Sequence, residues 1–266
     1  MAFDLNNFVI DRIVRGVALS QKDDSVLFSI NQIQNASLNC ASESTDAVDA
    51  MGTPIATFYR AKSAEFSAEN ALFDMNLMAT QLGTSKKVGK VGVATDGSDA
   101  VKITVPAMES FEAKDGKHVL KHTPKAAPTE IYALGQDSTF AKKYVKATSA
   151  SADAFAYVEA DHTITLPTGI ENGAEMFVMY EYETTSAVEV VNSAKNFPVG
   201  CKFIMEVLGC DVCDQTNLVY AYVIFNNAKL SPDFDWSIAT DGTHPFSMKA
   251  QQDYCDKEKR LELMVA

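Results

Sequence analysis

Apolar and polar positions alternate at a period of two along most of this chain, the spacing of half-buried strands. "NNFVIDRIVRGVALS" and "SVLFSINQIQNASLNC" are rich in Val, Ile, Leu and Phe. The polar "QKDD" at residues 21–24 separates them, which predicts two strands and a turn. Residues 38–53 then fill with Ser, Thr, Asp and Glu, predicting a long exposed loop before "PIATFYRAKSAEF" resumes a strand. After Ser67 the period changes: Ala68, Leu72, Met75, Ala79 and Leu82 recur at three or four. That spacing predicts a helix over about 68–82, with Ser67 as N-cap, Glu69 in the first turn and Gly83 as a left-handed stop ahead of Lys86 and Lys87.

Strand patterns return in "KVGKVGVAT", which ends at Asp96-Gly97, and in "AVKITVPAM". Residues 106–130 combine Pro106, Pro124 and Pro128 with Lys114, Lys117, Lys121 and Lys125, which predicts an exposed excursion with a small hairpin around "KDGK". "FAYVEADHTITLPTGIENGAEMFVMYEYETT" alternates again, with turns expected at 167–169 and 171–173. "CKFIMEVLGC" and "NLVYAYVIFNNAKL" read as long strands, and the closing 27 residues or so as an Asp-Gly turn with two more strands. Many short strands and one helix imply a mainly β fold, a sandwich or barrel with a helix docked on it. A single domain spanning 1–266 is expected, elaborated by the excursion at about 106–150.

A chain of 266 residues, 47% hydrophobic and 22% charged, is long enough to bury a sizeable core. Its longest clearly apolar run, "LVYAYVIF" at 218–225, is about a third of a membrane span. Asp4, Asp11 and Arg12 interrupt the N-terminal region where a secretion signal needs apolar residues, so a soluble protein made in a cytoplasm is expected. The net charge is -12, and residues 147–241 hold 14 acidic against 3 basic groups. Such a surface is a poor ligand for nucleic-acid phosphate, whose affinity comes from cations displacing counterions.

Residue types that could carry chemistry are present but scattered. Five cysteines argue against a disulfide framework; Cys210 and Cys213 form a C-x-x-C, the weak candidate for a zinc or redox site, with no second such pair and no histidine nearby in sequence. His118 and His122 are four apart in a lysine-rich, proline-flanked segment that suits solvated loop histidines better than a helical metal pair. Gly89, Gly92 and Gly97 match no phosphate-binding spacing. The pairs Glu181/Glu183 and Asp233/Asp235 read as charged strand faces, and Trp236 with Tyr220, Tyr222 and Phe225 as core or interface rather than a sugar platform. No nucleophile–base set is recognisable, so no enzyme and no cofactor is expected.

The strand, polar stretch, returning strand and helix of "GTPIATFYRAKSAEFSAENALFDMNLMA" resemble the major tail tube proteins of long-tailed bacteriophages. "AYVEADHTITLPTGIENGAEMFVMYEYE" and "SIATDGTHPFSMKAQQDYCD" are similar to later stretches of that group, the likeness covering most of 1–105 and 150–266. It implies a two-sheet sandwich of tail-tube type whose copies form rings, usually hexameric, stacked into a tube for the viral genome. The loop at 38–53, with Ser42, Glu43, Asp46 and Asp49, would reach the adjacent ring. The helix face of Leu72, Met75, Ala79 and Leu82 would fill a seam between sheets or subunits. The implied partners are other copies of the chain, a tape measure, a terminator and in some tails a sheath. DNA would pass without specific binding, and no membrane is involved. The implied location is the virion tail, assembled in the host cytoplasm. Another β-sandwich virion protein, such as a capsid decoration or baseplate component, and a zinc, redox or carbohydrate-binding module are the alternatives.

Overall fold

The computed structural model describes residues 8–92, 99–212, 214–252 and 261–265, with the side chain of Gln136 outside the description. Cys213, Cys255 and the expected Asp96-Gly97 turn lie outside it as well. In chain order the elements begin with β1 (Phe8–Ser20), β2 (Val26–Ile30), β3 (Ile33–Val48), β4 (Pro54–Asn70) and helix α1 (Met75–Gln81). Then come β5 (Lys87–Val88), β6 (Ile103–Glu112), β7 (Lys117–Val119), β8 (Glu130–Leu134), β9 (Phe140–Ala147), β10 (Ala154–Val158), β11 (Thr163–Thr165), β12 (Glu175–Thr184) and β13 (Val188–Glu189). The last are β14 (Gly200–Asp211), β15 (Asp214–Leu230), β16 (His244–Ala250) and β17 (Glu262–Val265). The protein is mainly β with one α-helix among the described residues, as its alternation implies, and its sheets include a curled half-barrel.

Two compact units divide the chain, one made of residues up to Lys86 and from Val190 onward, the other of Lys87–Glu189. The first is built on an antiparallel sheet of order β2-β1-β14-β15-β16-β4-β3, with β17 on the edge of β15 that β16 leaves free. Its core comes from one face of each strand: Phe28, Phe66, Phe203, Phe225 and Phe246 are all buried and lie ring to ring at 5.7 to 6.3 Å. Each buried phenylalanine contributes about 1.5–3 kcal/mol by leaving water. Gly16 makes room for this cluster, because a Cβ there would sit 2.8 Å from the Phe203 ring.

The second unit has its own sheet, β6-β12-β8-β9-β10-β11-β7, with β9 and β10 its parallel pair, and its own core around Phe155, Ile131, Ile164, Met176 and Val178. A short pair, β5 with β13, brings together the two ends of this unit. Residues 106–150, expected as an exposed excursion, supply strands to this sheet and bury Ile131 and Tyr144. Their lysines are exposed and Pro106 lies on the edge strand β6, which is why local composition resembles a loop, although Pro128 is buried. The "KDGK" hairpin does form, Lys114 bridging to Lys117.

Two boundaries differ from the sequence expectation. The helix starts at Met75, not near 68, because the period of two continues through Ala64, Phe66, Ala68 and Asn70, all buried, the last three in register with β16. Ser67 therefore sits in β4, opposite Ser247, and the N-cap is Asp74, whose Oδ1 accepts from the N–H groups of Asn76 at 2.9 Å and Leu77 at 2.7 Å. Gly83 is the left-handed stop, at φ +66. Its N–H reaches Thr80 O and that of Thr84 reaches Ala79 O, the paired bonds of a Schellman end. The second difference is larger: the stretch 38–53 is strand as far as Val48, hydrogen-bonded along its length to β4.

Candidate functional site

Strands β3 and β4 form one long hairpin, and only its base belongs to the core. β4 is paired to β16 from Glu65 to Asn70, while from Pro54 to Lys62 it pairs with β3 alone among the described strands. Every residue of β3 after Ile33 and every residue of β4 before Ala64 is exposed. A Ser/Thr/Asp-rich strand can hold this ribbon because both of its faces meet water. Its backbone groups are satisfied by pairing rather than by solvent.

The ribbon is shaped at two places. Ser42 pairs with Lys62 and Glu43 with Arg60, leaving Ala61 as an unmatched residue at φ +41, a bulge that bends the arm. At the tip Asp49 organises the turn: Oδ1 accepts from Met51 N–H at 2.8 Å and Thr53 N–H at 2.9 Å, and Gly52 adopts φ +83. Asp46 accepts from the Thr57 hydroxyl at 2.7 Å across the ribbon. Of the four residues singled out at 38–53, Ser42, Glu43 and Asp46 are strand residues and Asp49 is the turn former, all exposed.

What the sequence reading missed is the apolar load of this arm. Val48, Met51, Ile55, Phe58 and Tyr59 are exposed, Met51 at 91% and Tyr59 at 72%. Phe58 and Tyr59 are neighbours on a strand and therefore point to opposite faces. Large apolar groups on both faces of a solvent-exposed ribbon mark an interaction surface rather than scattered surface hydrophobes. The period-two pattern of "PIATFYRA" carried this signal, but without the fold those residues looked like an ordinary half-buried strand.

At the base of the arm a cleft of about 650 Å³ is lined by Cys40, Ala41, Ser42, residues 61–64, Gln252 and Leu261. The helix lies elsewhere in the same unit. Leu77 is buried in the phenylalanine core, and Ala79 and Leu82 are buried too, whereas Met75 is half-buried and Leu72 precedes the helix and is exposed. Gln81 is fully buried. It accepts from His244 Nε2 at 2.8 Å and donates to Pro245 O at 3.1 Å, while the Asp74 N–H faces His244 Nδ1 at 3.4 Å. These contacts place the neutral imidazole's proton on Nε2, and burial pushes the His244 pKa down.

The other candidates are dispersed. Cys210 is buried with its pair partner outside the described residues, and among the described residues no group of three His, Cys, Asp or Glu is placed to hold a metal. Trp236 stacks on Phe73 at 4.1 Å, Phe225 is core, and Tyr222 donates to Glu206 at 3.2 Å. Asp233 and Asp235 are exposed, and Glu183 pairs with Lys102 and Lys125. His118, on β7, is half-buried and stacks on Phe111 at 3.6 Å, whereas His122 is an exposed loop residue, as expected, with its ring on Tyr182 at 4.0 Å. His118 also contacts the buried Glu109, which accepts from Tyr180 Oη and from Lys121 N–H.

A sequence model of the YomU/Tube protein family matches residues 8–259, which takes in both units and the whole arm. No curated protein matches the chain. No helix of the described residues is long and apolar enough to cross a membrane.

Proposed function

The chain belongs to the YomU/Tube protein family, and from that premise we propose that it is a structural subunit of a phage tail tube, completed by other copies of itself. The observation that carries this reading is the arm of β3 and β4, a ribbon with apolar residues on both faces and no core of its own to bury them. A neighbouring copy supplies the missing cover. Closed rings, hexameric by resemblance, would present each arm to the next ring and stack into a tube.

The outward face of the first unit's sheet, where an apolar row of Val17, Ile204 and Ile224 lies beside paired polar groups, suits a channel wall. Arg15 pairs with Glu206 at 2.6 Å, Tyr222 joins the same carboxylate, and Asn226 reaches Glu262. A wall whose polar groups are paired with one another, in a chain of net charge -12, gives duplex DNA little to grip, so the genome passes without specific binding. The partners on this reading are further copies, a tape measure, a terminator and in some tails a sheath, and the protein resides in the virion tail. It acts by assembly, with no turnover and no cofactor.

Electron microscopy of the purified chain across a range of concentration and salt tests the proposal. Tubes of uniform diameter with the arm intact, and at most isolated rings without it, are the expected result. A protein that stays monomeric throughout, or that forms isolated rings on removal of the arm and also with the arm intact, would overturn it.

A further inference from the structure

The second unit carries a feature that tube assembly through the arm does not use. Its sheet turns Met108, Phe177, Met179, Tyr132 and Val145 outward on four adjacent strands, with Met108 directly opposite Met179 and Phe177 opposite both Ser110 and Tyr132. Met108, Met179 and Val145 are exposed, Met108 at 67%. Phe140 is exposed as well and packs edge-on against Phe177 at 5.3 Å and Tyr132 at 5.2 Å. A groove of about 500 Å³ runs along the margin of this face, between Phe140 and Phe177 on one side and Ser110 and Glu112 on the other.

That margin holds an electrostatic conflict. Glu112 and Glu175 are direct cross-strand partners, both exposed and both in the groove. Like charges directly opposite in an antiparallel pair are destabilising. Neither carboxylate makes a hydrogen bond or ion pair with the described residues, although Glu130, two strands away on the same sheet, has Lys143 at 2.9 Å. A local penalty kept without compensation is characteristic of a functional surface.

We propose that this face docks a basic segment of another protein, with an arginine or lysine seated between Glu112 and Glu175 and its aliphatic stem along Phe177 and Phe140. Charge complementarity selects this occupant. A cation removes the carboxylate repulsion, and it gains further from aromatic faces beside it. A second copy of a chain with net charge -12 brings mostly the wrong sign, and nucleic acid brings only the wrong sign.

The test uses the full chain carrying ¹³C-methyl methionine, so that Met108 and Met179 report on the face. An acetyl-Arg-Leu-Arg-amide peptide should shift both signals saturably, and acetyl-Glu-Leu-Glu-amide should not. The E112Q/E175Q double variant should bind the basic peptide about tenfold or more weakly and melt at a higher temperature, because the repulsion is gone. The higher melting point shows that lost binding is not lost folding. The inference is overturned if the basic peptide leaves both methyl signals unmoved, or if the double variant binds it equally well. It is also overturned if the signals follow protein concentration instead, which would make the occupant a second copy.

Discussion

At the scale of single residues, two buried ionisable groups, His244 and Glu109, set two acid thresholds. His244 is buried and its pKa lies below the ordinary 6.5, so the unfolded chain binds a proton that the folded one resists. Its stabilisation is complete above 6.5 and is lost as pH falls toward the folded value. Trp236 stacks on Phe73, which stacks on His244 at 5.0 Å, so the fluorescence of this single tryptophan should register the change. Urea midpoints followed by that signal should fall between pH 7.5 and 5.5, and the fall should be absent in His244→Gln. Glu109 belongs to a lower window. Burial pushes its pKa up, but hydrogen bonds from Tyr180, His118 and the Lys121 N–H outweigh burial and leave the carboxyl below its ordinary 4.5. Its contribution is therefore present above 4.5 and disappears as pH drops through the folded value. Tyr180→Phe removes the donor to a carboxylate that is 3% exposed and should cost the second unit about 2 kcal/mol at pH 7, measured by denaturant unfolding.

At the scale of elements, the end of a helix was easier to read than its beginning, and a buried strand easier than an exposed one. Gly83 announced the stop because only glycine sits comfortably at φ +66, and Gly83→Ala should be severe: its Cβ would meet Phe197 O at 2.2 Å. The start was misplaced because Ala68 satisfies a period of two and a period of four equally, and only pairing with β16 decides between them. Asp74→Ala, the true cap, should cost about 1 kcal/mol by thermal melting, and Ser67→Ala much less. The strand at 38–48 escaped notice because alternation records burial on one face, and this strand buries neither. The outward face of the second unit escaped for a related reason. Met108, Phe177 and Met179 look like core in sequence until the register places Ala107, Val178 and Tyr180 inward instead. The bulge gives a prediction of opposite sign to Gly83→Ala. Ala61 holds φ +41 against its own Cβ, so Ala61→Gly should stabilise the arm by about 0.5–1 kcal/mol, seen as slower amide exchange in the distal parts of β3 and β4.

At the scale of the whole molecule, the role proposed for the arm separates folding from assembly, and that separation can be measured. Phe58 and Tyr59 are 55% and 72% exposed, so replacing both with serine removes little that the folded chain buries. Surface changes of this kind usually alter stability within about 0.5 kcal/mol. Association is another matter. Each aromatic that enters a neighbour's surface contributes about 1.5–3 kcal/mol, and about 1.4 kcal/mol is a tenfold change in the concentration at which copies associate. Because the two side chains lie on opposite faces, each single variant should raise the critical concentration for tube formation by about tenfold or more. The double variant should raise it by roughly the product of the two, since separate contacts add. Sedimentation of assembled from free chain, beside the melting curve of the same samples, reads both quantities. Unchanged melting with delayed or absent assembly is the expected pair of results. If only one single variant matters, the arm lies against one neighbour with its other face in water; if both melting and assembly fail together, the aromatics support the fold and the arm is not the joining element.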